Sequence, residues 1–183
     1  MNRLINRLPV TVTIDNAEYP IDTDFRVCLM ILSAFKDVEL TDHEKIGIML
    51  LNLYGGLPHD YEAAVNKAIE FLCCGDVTEY KQTSKLYDFE QDDKYIYAAL
   101  LQKNIDLNKI EHMHWWTFMS HFTEIGECAF SRIVYLRSQH SKGKLSKDER
   151  KECDKIGWDI IRIKDPAFEA QREEIEKYIF GKD

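Results

Sequence analysis

Residues 10–21 read VTVTIDNAEYPI, and this stretch divides the chain into a short β opening and a long helical remainder. In its first half apolar residues alternate with threonine, so that Val10, Val12 and Ile14 share one face of a strand. The Asp-Asn pair at its centre is typical of a tight turn. The last three residues predict a short return strand, which Pro20 restricts to the edge of a sheet.

A two-stranded hairpin by itself is marginally stable in water, so we expect this one to dock on helices or on another subunit. The return strand is the edge that would stay open to such a partner. We therefore name Tyr19 and Ile21 as candidate protein-interaction residues.

The sequence after Ile21 carries the signals of helices. Thr41 and Ser146 are each followed three residues later by a glutamate, which is the pattern of a capping box. Gly55 is placed to end the helix that Thr41 begins. Apolar stripes at helical spacing predict a mainly α fold, a multi-helix bundle of about seven to eight helices with a short N-terminal β-hairpin.

Three segments carry more specific predictions. Residues 110–121 are predicted to form one aromatic helix, and the acidic residues within 88–93 are expected to lie in a solvated loop and helix start. The first helix is expected to bury a stripe of four residues, with Cys28 and Ile31 beside it: Phe25, Leu29, Leu32 and Phe35.

The length of 183 residues predicts a single domain over residues 1–183. Within it we expect a hairpin at 8–21, a helical body at 22–140 and a C-terminal helical appendage at 146–183. An amphipathic helix is predicted near the end of the appendage, and its apolar Phe168 is a further candidate interaction residue.

Composition bounds the classes of function. A net charge of −8 argues against wholesale binding to nucleic-acid backbones. With tyrosine left out, the longest apolar run is Val27–Leu32, which has six residues, whereas a membrane span needs about twenty. Five cysteines at irregular spacing favour a reducing compartment. We therefore expect a cytoplasmic protein with neither a membrane nor a nucleic acid as its partner.

No catalytic constellation, metal site or cofactor motif stands out in the sequence. The histidines His112, His114 and His121 lie within ten residues, yet their spacing does not place all three on one helix face. The pattern favours ordinary histidines beside aromatic residues over a metal centre. We expect a non-enzymatic protein with no cofactor.

The most distinctive local feature is the adjacent pair Trp115 and Trp116, followed by Phe118. Neighbouring helical residues point about 100° apart, so both rings are buried only if the helix is covered on two faces. The favoured interpretation is a central core. The second is an aromatic anchor at a protein interface, which makes these three residues candidate interaction residues.

Three stretches together resemble the bacteriophage gene-product-fifteen family of tailed phages and prophages. They are residues 12–21 (VTIDNAEYPI), 89–101 (FEQDDKYIYAALL) and 113–118 (MHWWTF). The resemblance spans most of residues 10–155, whereas the final segment after Asp165 does not match it. Members of this family are encoded in the tail-morphogenesis region, near the tube and tape-measure proteins.

That position implies a tail-assembly chaperone that binds the tape-measure protein until tail-tube subunits replace it. Such a protein would work in the bacterial host cytoplasm, and repetition along a long client would favour a homo-oligomer. The alternatives are a structural tail component retained in the virion and, third, a metal-dependent or nucleic-acid-binding protein.

Overall fold

The structure is a computed structural model that describes residues 2–76 and 85–165. Over these residues the chain forms one antiparallel two-stranded sheet and eight helices. This confirms the predicted mainly α fold with an N-terminal hairpin. The elements are β1 Thr11–Ile14, β2 Ala17–Pro20, α1 Phe25–Ala34, α2 Asp42–Tyr54, α3 Tyr61–Leu72, α4 Asp93–Gln102, α5 Trp115–Thr123, α6 Ala129–Ser141, α7 Lys147–Ile156 and α8 Trp158–Ile161.

The chain divides into two compact units. The first unit comprises Met1–Tyr80 and Asn108–Thr123, and contains the hairpin, α1 to α3 and α5. The second unit comprises Lys81–Leu107 and Glu124–Asp183, and contains α4 and α6 to α8. The single-domain organisation stays a prediction. The expected final helix and Phe168 lie outside the described residues.

The hairpin forms as its sequence indicates. Asp15 and Asn16 both adopt positive φ, 49° and 64°, which is the geometry of a type I′ turn. This turn matches the twist of the strands and sets Ile14 opposite Ala17. After β2, the N–H of Ile21 donates to Val10 O at 3.1 Å, so strand pairing continues one residue beyond Pro20.

The first three helices of the first unit begin at side-chain caps. Asp24 caps α1, Thr41 and Glu44 form the predicted capping box of α2, and Asp60 caps α3. At the other end of α2, Gly55 takes the left-handed conformation, φ 66°, as predicted.

The expected apolar stripe of α1 needs correction. Phe25, Cys28 and Ile31 form its buried face, whereas Leu29 and Leu32 are half-buried and Phe35 is exposed. The helix packs against both α2 and α5, so the residues three apart point inward. Phe35 is the C-cap residue of the helix, where its side chain is exposed.

The helix predicted at 110–121 begins only at Trp115. The preceding residues are not helical, because they pair with the chain that leads into α1, where Asp24 and His114 form an isolated antiparallel bridge. The N–H of Phe25 donates to Met113 O at 3.0 Å, and the N–H of Trp115 donates to Thr23 O at 2.7 Å. These backbone bonds to a distant segment outweigh the local helical pattern.

The second unit corrects the expectation of a solvated acidic segment. Asp92 is fully buried and forms a bidentate ion pair with buried Arg137, at 2.6 and 2.8 Å. The guanidinium also donates to the backbone carbonyls of Leu86, Ile160 and Ile161. The Asp92 carboxylate can therefore be buried at the N-terminus of α4, because the charges of the pair and their hydrogen bonds replace the lost contacts with water.

Beside this ion pair lies a small apolar core. Leu136, Cys153 and Ile161 are buried, and Leu145, Ile156 and Trp158 pack against them. The second predicted capping box, Ser146 with Glu149, begins α7 and is present in full. Among the described residues no helix is long and apolar enough to cross a membrane.

Candidate interaction site in the first unit

The two adjacent tryptophans of α5 close the C-terminal end of α3. Trp115 donates its indole N–H to Leu72 O at 2.9 Å, and Trp116 donates to Phe71 O at 2.8 Å. The last carbonyls of a helix have no partner within the helix, and Trp115 supplies one for Leu72 O. Trp116 adds a second donor to Phe71 O, which also accepts the backbone N–H of Cys74 at 2.9 Å. Both indole N–H groups are therefore satisfied within the unit.

Aromatic stacking extends this contact into the core. The rings of Phe25 and Phe118 are stacked at 4.8 Å and 10°, and Phe118 also stacks on Trp115 at 5.7 Å. Trp116 stacks on Phe71 at 6.0 Å. All three predicted residues of α5 are buried, as the core interpretation has it. A role for them as interface anchors stays a prediction.

His114 connects the start of the hairpin to α5. Its Nε2 lies 2.9 Å from Pro9 O, and its Nδ1 accepts the backbone N–H of Trp116 at 3.1 Å. This pattern requires the neutral ring with the proton on Nε2. Burial lowers the pKa of His114, nearby His112 lowers it further, and the bond to Pro9 acts in the opposite direction.

A groove of about 260 Å³ opens between β1 and α3. It is smaller than the roughly 300–1,000 Å³ that small-molecule sites usually have, and it is open to solvent. Its walls are formed by β1, by a charged pair on α3 and by aromatic rings of α3 and α5. The lining residues are Pro9, Thr11, Val12, Thr13, Lys67, Glu70, Phe71, Gly75 and Trp116.

The groove depends on a glycine at the end of α3. Gly75 has φ 77°, and a Cβ placed there would lie 3.2 Å from the outer edge of the Trp116 ring. Lys67 and Glu70 pair with each other across 2.8 Å at the rim. This rim pair is therefore neutral, and the largely buried rings of Phe71 and Trp116 form part of the groove's lining.

The strand that borders the groove has an open edge. Because Val10 and Ile21 are a hydrogen-bonded pair, the alternation of an antiparallel ladder makes 11↔20 and 13↔18 the non-bonded pairs. The N–H and C=O groups of Thr11 and Thr13 therefore point away from β2. Within residues 2–76 and 85–165 they have no hydrogen-bond partner.

The predicted edge on the return strand is less suited to pairing. Its outward positions are Glu18 and Pro20, and a proline has no N–H to donate. Tyr19 is half-buried and meets Tyr54 edge to face at 6.5 Å, and Ile21 is buried. The role of Tyr19 and Ile21 in an interface stays a prediction. The sequence signal for the better edge was Pro20 itself. Because it has no N–H to donate, it makes the outer edge of β2 a poor pairing edge, and the outer edge of β1 is then the better one.

Three groups of the first unit that could have reactive or metal-binding chemistry are His112, Cys73 and Cys74. His112 shares a hydrogen bond with Thr23 at 3.1 Å, and among the described residues no three His, Cys, Asp or Glu side chains converge on one point. Burial raises the pKa of the Cys73 thiol and raises that of Cys74 to about 11. Both thiols stay protonated at neutral pH, the form that is a poor nucleophile.

Comparison with protein-family models gives a match over most of the chain. The family model described as "Bacteriophage Gp15 protein" matches residues 4–158. This span includes the hairpin, the groove and the buried ion pair. No curated protein and no solved structure matches the chain.

Proposed function

We propose, from the premise that the chain belongs to the bacteriophage Gp15 family, that it is a non-enzymatic tail-assembly chaperone that holds the tape-measure protein. In this proposal it works in the host cytoplasm and gives way to tail-tube subunits when the tube forms. Family membership supports the phage association. The surface of the first unit supports the chaperone role.

The observation that carries the proposal is where the exposed apolar side chains lie. Among residues 2–76 and 85–165, thirteen large apolar residues are exposed, and ten of these belong to the first unit, including Leu4, Met30, Leu51 and Leu57. Single exposed apolar residues are common on any protein, but a concentration in one unit favours a contact surface for an apolar client.

Charge supports the same assignment. The first unit contains 7 basic and 14 acidic residues. Like charges on neighbouring copies would keep a loaded complex soluble, and the negative field would attract basic stretches of a client. Modest affinity at each site, repeated along a long client, gives tight but reversible holding.

Co-expression with the tape-measure protein of the same gene cluster tests the proposal. We expect a soluble complex with several copies of this chain per client, measured by light-scattering mass. Adding tail-tube protein is expected to release the chain. An insoluble client beside unbound chain would contradict the proposal.

A second measurement separates a chaperone from a structural tail component. A chaperone is absent from finished particles, so mass spectrometry of purified particles is expected to detect tube and tape-measure proteins without this chain. Its presence at a fixed ratio to the tube protein would instead assign it to the virion.

A further inference from the structure

We propose that the open edge of β1 binds an extended segment of the client as a third strand, with apolar side chains at alternate positions and Lys or Arg beside them. This inference rests on the proposed function for the identity of the client. It adds the mode of recognition and the residues that provide it.

The backbone of β1 determines the conformation of the occupant. Thr11 and Thr13 each present one N–H and one C=O outward, two residues apart. Only an extended chain presents free backbone groups at that spacing, because the backbone groups of a helix are already bonded to one another. The edge is therefore suited to strand addition and not to a helix.

The groove determines the side chains. The added strand would run beside β1 along the opening lined by Phe71 and Trp116. Successive side chains of a strand point to opposite faces, so every second one would face these rings and the others would face solvent. An apolar side chain at alternate positions fits that geometry, whereas a continuous apolar run is not required.

Charge determines the surroundings of the segment. The first unit has twice as many acidic as basic residues, 14 against 7. The Lys67–Glu70 pair leaves the groove rim itself neutral. Basic residues outside the bound core of the segment would therefore gain from the acidic surface without entering the groove.

Hydrogen exchange on the complex of the full chain with the co-expressed tape-measure protein tests this mode. If an amide exchanges only while the client is unbound, its exchange rate is proportional to the unbound fraction of the chain. We therefore expect exchange at Thr11 and Thr13 to slow about tenfold when nine-tenths of the chain is bound to client. Val12 and Ile14 serve as internal controls, because their N–H groups already pair with β2.

Two prolines provide a matched pair of variants, since Thr13 and Glu18 face each other across the hairpin and point to opposite edges. Thr13→Pro removes one donor and places a ring where the added strand must lie, so we expect client binding to weaken at least about tenfold. Glu18→Pro makes the same change on the other edge and is expected to bind normally.

The outcomes separate this inference from the proposed function. A wild-type complex in which Thr11 and Thr13 exchange as in the free protein would overturn strand addition and leave the chaperone role standing. Protection of the same amides in the isolated protein, rising with its concentration, would overturn it in favour of pairing between two copies. Absence of any wild-type complex would overturn the proposed function. If Thr13→Pro fails to fold, the exchange measurement on the wild type decides alone.

Discussion

The two units of the chain satisfy their buried polar groups in different ways. In the first unit, indole N–H groups of Trp115 and Trp116 pair with carbonyls at a helix end. In the second unit, the Arg137 guanidinium pairs with the Asp92 carboxylate in full burial. Of the thirteen large apolar residues that are exposed in the described part of the chain, ten lie in the first unit. The first unit therefore satisfies its buried aromatic donors with backbone carbonyls, whereas the interior of the second unit contains a charged pair.

The largest effect is expected from breaking the ion pair of the second unit. Arg137→Met leaves the Asp92 carboxylate buried without a counter-charge, so the free energy of unfolding should fall by about 3–5 kcal/mol. Urea titration followed by circular dichroism measures this change. The double variant Arg137→Met with Asp92→Leu removes both charges and is expected to recover most of the loss. A double variant as unstable as the single one would contradict an electrostatic cause.

This ion pair also marks the limit of prediction from the sequence. Asp92 occupies an acidic segment at a helix start, and Arg137 lies in a basic stretch, so each has the local signature of a solvated residue. Their pairing spans 45 residues and depends on how α4 and α6 pack. No local spacing encodes that contact, whereas the caps and the hairpin turn are encoded within four residues.

The tryptophans of the first unit should give the next largest effect. Trp115→Phe removes the bond to Leu72 O and leaves a small void, so we expect a loss of about 2 kcal/mol in the free energy of unfolding. Trp158→Phe in the second unit is the control. That indole is half-buried and donates to the exposed Asp154, so its replacement should cost less than about 1 kcal/mol. Equal losses at the two positions would show that the helix-end carbonyl contact adds nothing.

The two capping boxes allow a balanced comparison of the units. Thr41→Ala in α2 and Ser146→Ala in α7 remove equivalent hydrogen bonds, and each is expected to lower stability by about 1 kcal/mol. Hydrogen exchange at the first turn of each helix locates the loss. If the units unfold cooperatively, both variants shift exchange throughout the chain. If they unfold separately, each shifts exchange only in its own unit.

The same boxes show what sequence patterns predict well. Thr41 with Glu44 and Ser146 with Glu149 were recognisable from a spacing of three residues, and both boxes form. The start of α5 was not recognisable from the sequence, because backbone pairing with residues 23–25 overrides the helical pattern at 110–114. The open edge of β1 lies between these cases. Pro20 was visible in the sequence, but the side of the hairpin that faces a groove depended on the packing of α3.

The smallest expected effect concerns the protonation of His114 in the first unit. Burial lowers its pKa in the folded protein from the ordinary 6.5, so below that pH the unfolded chain binds the additional proton. Stability is then full above pH 6.5, declines as the pH falls from 6.5 towards the lowered pKa, and declines no further below it. Protonation of Nδ1 would also remove the acceptor for the Trp116 N–H.

His114→Gln, which cannot titrate, is expected to reduce the decline in the free energy of unfolding between pH 7 and pH 5. Urea titrations of both proteins across that range measure the difference. The comparison also separates His114 from the carboxylates of the capping boxes. The hydrogen bonds from Thr41 and Ser146 lower the pKa values of Glu44 and Glu149 below the ordinary 4.5, so their titration falls outside this window. If the free energy of unfolding declined equally with pH in both proteins, His114 would bind protons equally in the folded and unfolded states. The hydrogen bond of the Trp116 N–H would then not depend on the neutral ring.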